Sequence, residues 1–149
     1  MIWIDGDACP REIKEIVYRV SQKNKIHVTF VANKYQKIPN SKLIKIHVVD
    51  KGFDKADEYI TSNINKDDIV ITADIPFAAE VIKKEAHIVT PAGSLLDQRN
   101  INERLSMRNF FEDLRSSGTY NSRAKGLSSQ NIRNFANAID KLLAKIEKK

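Results

Sequence analysis

Short apolar runs separated by stretches of helical period constrain this chain more than any other feature. Met1–Asp5, Ile26–Val31, Leu43–Val49, Ile69–Ile71 and His87–Val89 are rich in Ile and Val, and no unbroken apolar run is longer than five residues. Such runs suit strands covered on both faces and fall far short of the roughly 20 residues of a membrane span. Between them the period changes. After Pro10, which suits a first helical turn because its missing N–H has no partner there, Ile13, Ile16, Val17 and Val20 fall at i, i+3, i+4 and i+7, one apolar helical face. Ala56, Tyr59, Ile60 and Ile64, at i, i+3, i+4 and i+8, form the apolar face of a second helix over Asp54–Ile64, and Ile75–Lys84 reads as a third, short helix. The polar segment NKYQKIPNSK (33–42) reads as a loop. This alternation predicts an α/β domain with a mainly parallel, five-stranded sheet between helices.

After Pro91 the pattern becomes helical. Asn102–Ser116 and Ser128–Lys148 are expected as two C-terminal helices joined by SSGTYNSRAKGLSS (116–129), a basic loop rich in Gly and Ser. The 149 residues fit a single domain, residues 1–149, with an α/β core over about 1–92 and a basic helical part over about 93–149. Charge follows that division. Residues 1–98 carry 14 basic and 14 acidic side chains, and residues 99–149 carry 11 and 5, so the net +6 lies in the last third. Such asymmetry suits a polyanion partner, although a solvated helical surface gives the same count. No basic stretch followed by an apolar one opens the chain, so no leader is expected. The lone cysteine, Cys9, suits a reducing, cytoplasmic setting.

In a parallel α/β sheet, ligands bind beyond the carboxyl ends of the strands. Asp5 and Asp7 follow the first expected strand, Asp50 and Asp54 the third, and Asp74 the fourth. Asp54, Asp57 and Glu58 stand at i, i+3 and i+4 near a helix start. If strands one and four are neighbours, Asp5, Asp7 and Asp74 converge with the helix carboxylates at their rim. Carboxylates crowded together repel, and a cation relieves the repulsion. Oxygen-only donors suit Mg²⁺ or Mn²⁺. Each of these residues also has a plainer role open to it, since Asp is common at helix N-termini. Asp67 and Asp68 precede a strand and are expected at the opposite edge.

Four stretches then become familiar: IWIDGDACP (2–10), ITADIPFA (71–78), MRNFFEDLR (107–115) and FANAIDKLL (135–143). Together they resemble the YaiI/YqxD family of bacterial proteins, along essentially the whole chain. That family looks like a branch of the PIN-like fold, which implies a three-layer sandwich and a strand-end site for a divalent ion. The resemblance implies catalytic roles for Asp5, Asp57 (or Glu58) and Asp74. Taken with the strand-end positions of the carboxylates, Asp5, Asp7, Asp57 and Asp74 are expected around the metal, with Asp54, Glu58 and Thr72 supporting them. The stretch GTYNSRAKG (118–126) departs from the family's usual Gly-Gly-Pro-Lys-like pattern, keeping its basic character but not its proline.

Three functions compete. The first is a metal-dependent nuclease acting on RNA, with Arg108, Arg115, Arg123 and Lys125 on the phosphates. The second is a phosphohydrolase of the haloacid dehalogenase type, with Asp5 as nucleophile and Asp7 as acid/base. Cys9 stands where that superfamily usually has Thr or Val, and its later Lys and acidic pair are not evident. The third is a non-catalytic RNA-binding module that uses the basic C-terminal part. Cys9 is expected to be a small residue at a helix start rather than a nucleophile. His27, His47 and His87 fall within expected strands, with no spacing that suits zinc.

Overall fold

A computed structural model describes residues 1–7, 9–52, 55–107 and 127–147. In chain order the elements are β1 (Ile2–Asp5), α1 (Arg11–Asn24), β2 (Val28–Ala32), β3 (Ile44–Val48), α2 (Lys55–Asn63), β4 (Ile69–Ile71), α3 (Ile75–Lys83), β5 (His87–Val89) and β6 (Leu95–Leu96). A helix α4 covers 101–107, and α5 is Ser129–Glu147. The sheet order is β3-β2-β1-β4-β5-β6, parallel throughout except for β5 with β6.

Among the described residues, six strands therefore stand where the apolar runs predict five. The sixth has only two residues, too few to show any alternation, and it follows a turn in which Thr90 accepts the N–H of Gly93 and donates its own to Ser94. The sheet thus continues beyond residue 92, past the expected limit of the α/β part.

Side chains of successive strand residues point to opposite faces, and the two cores follow that rule. Ile2 and Ile4 of β1, Val28 and Phe30 of β2, and Ile69 and Ile71 of β4 form one cluster with Ile13 and Val17 of α1 and Phe135, Ile139 and Leu142 of α5. Trp3, Val31, Val70 and Ile88 form the other with Ile60 of α2 and Phe77, Ala78 and Val81 of α3. The sheet therefore has helices on both faces. The four apolar positions read as the face of α1 are all buried, and Phe135 is wholly so.

Parallel neighbours need a crossover, usually a helix. Between β2 and β3 that crossover is an irregular segment, 33–43, whose Ile38 packs on the α1 side of the sheet. At the amino edge, buried Asp68 accepts the Trp3 indole N–H at 3.0 Å and the Asn65 N–H at 2.9 Å. His87 lies 2.9 Å from Asp67 there. Both aspartates are thus spent on the amino edge, opposite the candidate site. Among the described residues no helix is long and apolar enough to cross a membrane.

One glycine has no substitute. Gly93 has φ +93°, and a Cβ there would stand 2.4 Å from the Asn134 carbonyl carbon and 2.6 Å from the Phe135 nitrogen. Gly93→Ala meets both a left-handed backbone and helix α5, and should lose about 3 kcal/mol or more. A lowered urea midpoint checks this; an unchanged midpoint would mean that α5 does not seat against the 90–94 turn.

Candidate functional site at the carboxyl edge

The chain leaves β1 toward β2 and β3 on one side and later returns to build β4, β5 and β6 on the other. The β1/β4 boundary is therefore the point where strand order reverses, the usual place for a ligand in such sheets. Asp5 is the last residue of β1. Because Ile4 pairs with Ile71, Asp5 comes level with Thr72. Asp74 follows two residues later.

Each aspartate is held by local geometry. Asp5 is half-buried, and its Oδ1 accepts the N–H of Asp7 at 3.2 Å across the Gly6 turn. Gly6 donates to the Val31 carbonyl at 2.9 Å, tying the turn to β2. Thr72 is buried; its hydroxyl oxygen accepts the Asp74 N–H at 3.0 Å. Asp74 is exposed and caps α3, its Oδ1 accepting the Phe77 N–H at 3.1 Å, with Pro76 in the first turn. The cap fixes one carboxylate oxygen and leaves Oδ2 for a ligand.

Asp7 faces another way. Its Oδ2 accepts the Asn33 N–H at 2.8 Å, so it anchors the segment after β2. Gln36 completes the anchor by donating to the Gly6 carbonyl at 3.1 Å and accepting from Lys14 of α1. Nothing in the spacing of Asp5 and Asp7 signals this, because the partner is a backbone N–H 26 residues away.

Asp57 and Glu58 lie in the first turn of α2, which packs on β1, β2 and α3. Since α2 links the carboxyl end of β3 to the amino end of β4, its first turn reaches the same edge as Asp5 and Asp74. Asp57 is half-buried; Glu58 is exposed, 3.9 Å from the Lys55 ammonium. Asp54, Arg108, Arg115, Arg123 and Lys125 lie outside the described residues. His47 of β3 stacks on Tyr59 of α2 with ring centroids 3.9 Å apart and planes at 10°. Together with the His87–Asp67 contact, this gives two strand histidines partners that the sequence did not disclose.

The donors at this edge are all oxygens, as Mg²⁺ or Mn²⁺ requires. Among the described residues, no three His, Cys, Asp or Glu side chains stand close enough to hold a metal ion together. The fit is therefore to an ion that takes one or two carboxylates and fills its remaining positions with water and phosphate oxygens, a habit of Mg²⁺. An all-protein cage does not fit.

Cys9 is half-buried beside this edge, its Sγ 3.6 Å from the Pro10 carbonyl oxygen. Burial pushes its thiol up to about 12; Lys14 pulls the other way and Asp5 adds to the rise. It stays a neutral thiol at pH 8, unlike an activated nucleophile. An unfolded thiol ionises near 9, so the stability Cys9 contributes is intact below pH 9 and is lost as pH rises from there through 12. In the folded protein Cys9 should react with iodoacetamide at pH 8 far more slowly than in urea; equal rates would contradict the burial. Asp74→Ala removes a cap and should cost about 1 kcal/mol, whereas Asp74→Asn keeps the acceptor and should cost little. Urea melts of the two variants separate capping from charge.

Residues 3–145 match the family described as "Uncharacterized BCR, YaiI/YqxD family". A UPF0178 protein of Legionella pneumophila is 47% identical over 144 residues, covering 97% of each chain. UPF0178 proteins of Saccharophagus degradans (45% over 144 residues, 97% of this chain and 95% of the relative) and Dechloromonas aromatica (46% over 145 residues, 97% of each) are similarly close. No solved structure gives a significant match. With a family match along nearly its whole length and relatives at this identity, the chain belongs to the YaiI/YqxD family.

Proposed function

We propose that this chain is a PIN-like, divalent-metal-dependent nuclease that cuts RNA phosphodiesters at the β1/β4 boundary. The observation that carries the reading is the adjacency of β1 and β4, which sets Asp5 and the Thr72–Asp74 turn side by side where strand order reverses. Helices on both sheet faces suit the three-layer PIN-like arrangement. Asp5 and Asp74 would hold Mg²⁺ or Mn²⁺. Such an ion, when bound, offsets the negative charge that grows on a phosphodiester during cleavage.

The chain's own groups do the rest. The Thr72 hydroxyl and the first turn of α3 hold Asp74 in place. The Asp57 carboxylate, on α2 at the same edge, serves as acceptor for the proton of the attacking water. Arg108, Arg115, Arg123 and Lys125 meet phosphates, consistent with the positive balance of residues 99–149. A cytoplasmic setting belongs to the same proposal. The haloacid-dehalogenase-type alternative needs Asp7 as acid/base beside Asp5, and it is disfavoured because Asp7 accepts the Asn33 N–H.

Calorimetric titration of Mn²⁺ and Mg²⁺ into the wild type, Asp5→Asn and Asp74→Asn tests this. Binding by the wild type, lost in both variants, is expected, together with a drop of roughly 100-fold or more in RNA cleavage. If all three proteins fold and the wild type binds neither ion, the nuclease reading falls and a metal-independent RNA-binding module takes its place.

A further inference from the structure

The irregular crossover between β2 and β3 presents an exposed aromatic ring between two cations at the candidate edge. Tyr35 is 71% exposed, the most exposed of the large hydrophobic side chains among the described residues. Lys34 and Lys37 are exposed on either side of it. A single exposed apolar residue is ordinary on a protein surface. This one differs in how it is held. Asn33, two residues before it, donates its N–H to Asp7 at 2.8 Å. Gln36, the next residue, donates to the Gly6 carbonyl at 3.1 Å and accepts from Lys14 of α1. Ile38 is packed against the core. Fixed points thus bracket the ring, and two of them, Asn33 and Gln36, are tied to the turn that carries Asp5 and Asp7.

We infer that Lys34, Tyr35 and Lys37 form a binding subsite for single-stranded RNA, in which a base stacks on the Tyr35 ring and the two ammonium groups meet adjacent phosphates. The inference rests on the reading of this edge as a nucleic-acid site and adds to it the element that positions the strand. Stacking on an aromatic ring combined with a flanking positive charge is how single strands are held without sequence choice. Each half has its own signature. The ring contributes affinity that salt does not screen, whereas each lysine on a phosphate contributes to the salt dependence. Asp7 acts here as a positioning residue, through the Asn33 N–H.

The test is anisotropy of a fluorescein-labelled single-stranded RNA decamer with the full chain in EDTA, over a salt series, so that binding is read without a metal ion. Tyr35→Ala should weaken binding by about 5- to 150-fold with the salt slope unchanged, and Tyr35→Phe should bind like the wild type. Lys34→Ala/Lys37→Ala should make the negative slope of log K against log salt shallower by about 1.4. The three altered positions, 34, 35 and 37, are exposed to solvent in the folded chain, so melting temperatures should match the wild type. Three results overturn the inference: no binding by the wild type, equal binding by all variants, or equal loss with Tyr35→Ala and Tyr35→Phe. So does equal capture of polyglutamate or duplex RNA, which would mean a general charged surface. The Mn²⁺ titration of Asp5→Asn and Asp74→Asn reports on the strand-end ion separately, so failure of the subsite and failure of the nuclease reading are distinguishable.

Discussion

The parallel pairing of β1 with β4 is the constraint on which the rest of the molecule depends. It brings together two runs separated by more than sixty residues of chain, with Ile2, Trp3 and Ile4 opposite Ile69, Val70 and Ile71. That register sends Ile2, Ile4, Ile69 and Ile71 to the α1/α5 side and Trp3 and Val70 to the α2/α3 side. A slip of one residue would send every one of these side chains to the wrong face. Trp3 adds a check on the register, because its indole N–H finds buried Asp68 just before β4, and a buried polar group left without a partner is costly. The same register brings the carboxyl ends of the two strands level, and with them Asp5 and Thr72.

The carboxyl edge reuses local structural devices as potential chemistry. Asp74 is first a helix cap and Asp5 first a turn acceptor. Those contacts pre-orient each carboxylate through the backbone it caps. Preorganisation of this kind is what a metal or phosphate site requires. Asp7 has a different task, joining the β1 turn to the crossover after β2. The Asp-Gly-Asp turn therefore has two tasks, its first aspartate closing the turn at the end of β1 and its second holding the segment that carries Tyr35.

The sequence made the main elements legible because each has a strong period. Ile13, Ile16, Val17 and Val20 announced the buried face of α1, and Asp74, a residue type common at helix N-termini, stood just before the helix expected over Ile75–Lys84. The ends of β1 and β4 were legible as aspartates after apolar runs. Their adjacency was not, because strand order is a property of the whole sheet and leaves no local mark. Strand β6 has two residues and cannot show alternation. The anchor of Asp7 is a backbone N–H, which every residue but proline carries. The pairing of His87 with Asp67 spans 20 residues of chain, and the stacking of His47 on Tyr59 depends on how α2 lies over β3. Contacts fixed by tertiary placement have no sequence period to betray them.

Helix α5 comes last of the described elements in the chain, yet it closes the core formed by the first. Phe135, Ile139 and Leu142 cover Ile2, Ile4, Phe30 and Ile71 together with α1. During synthesis, at about 5–20 residues per second, one side of the sheet must wait for that cover. In the interval the nascent chain carries an open apolar surface and parallel strands, features that form slowly and favour aggregation. Early strands can pair while the ribosome is still at work, but the α1 side of the sheet becomes dry only after release of the segment that bears Phe135.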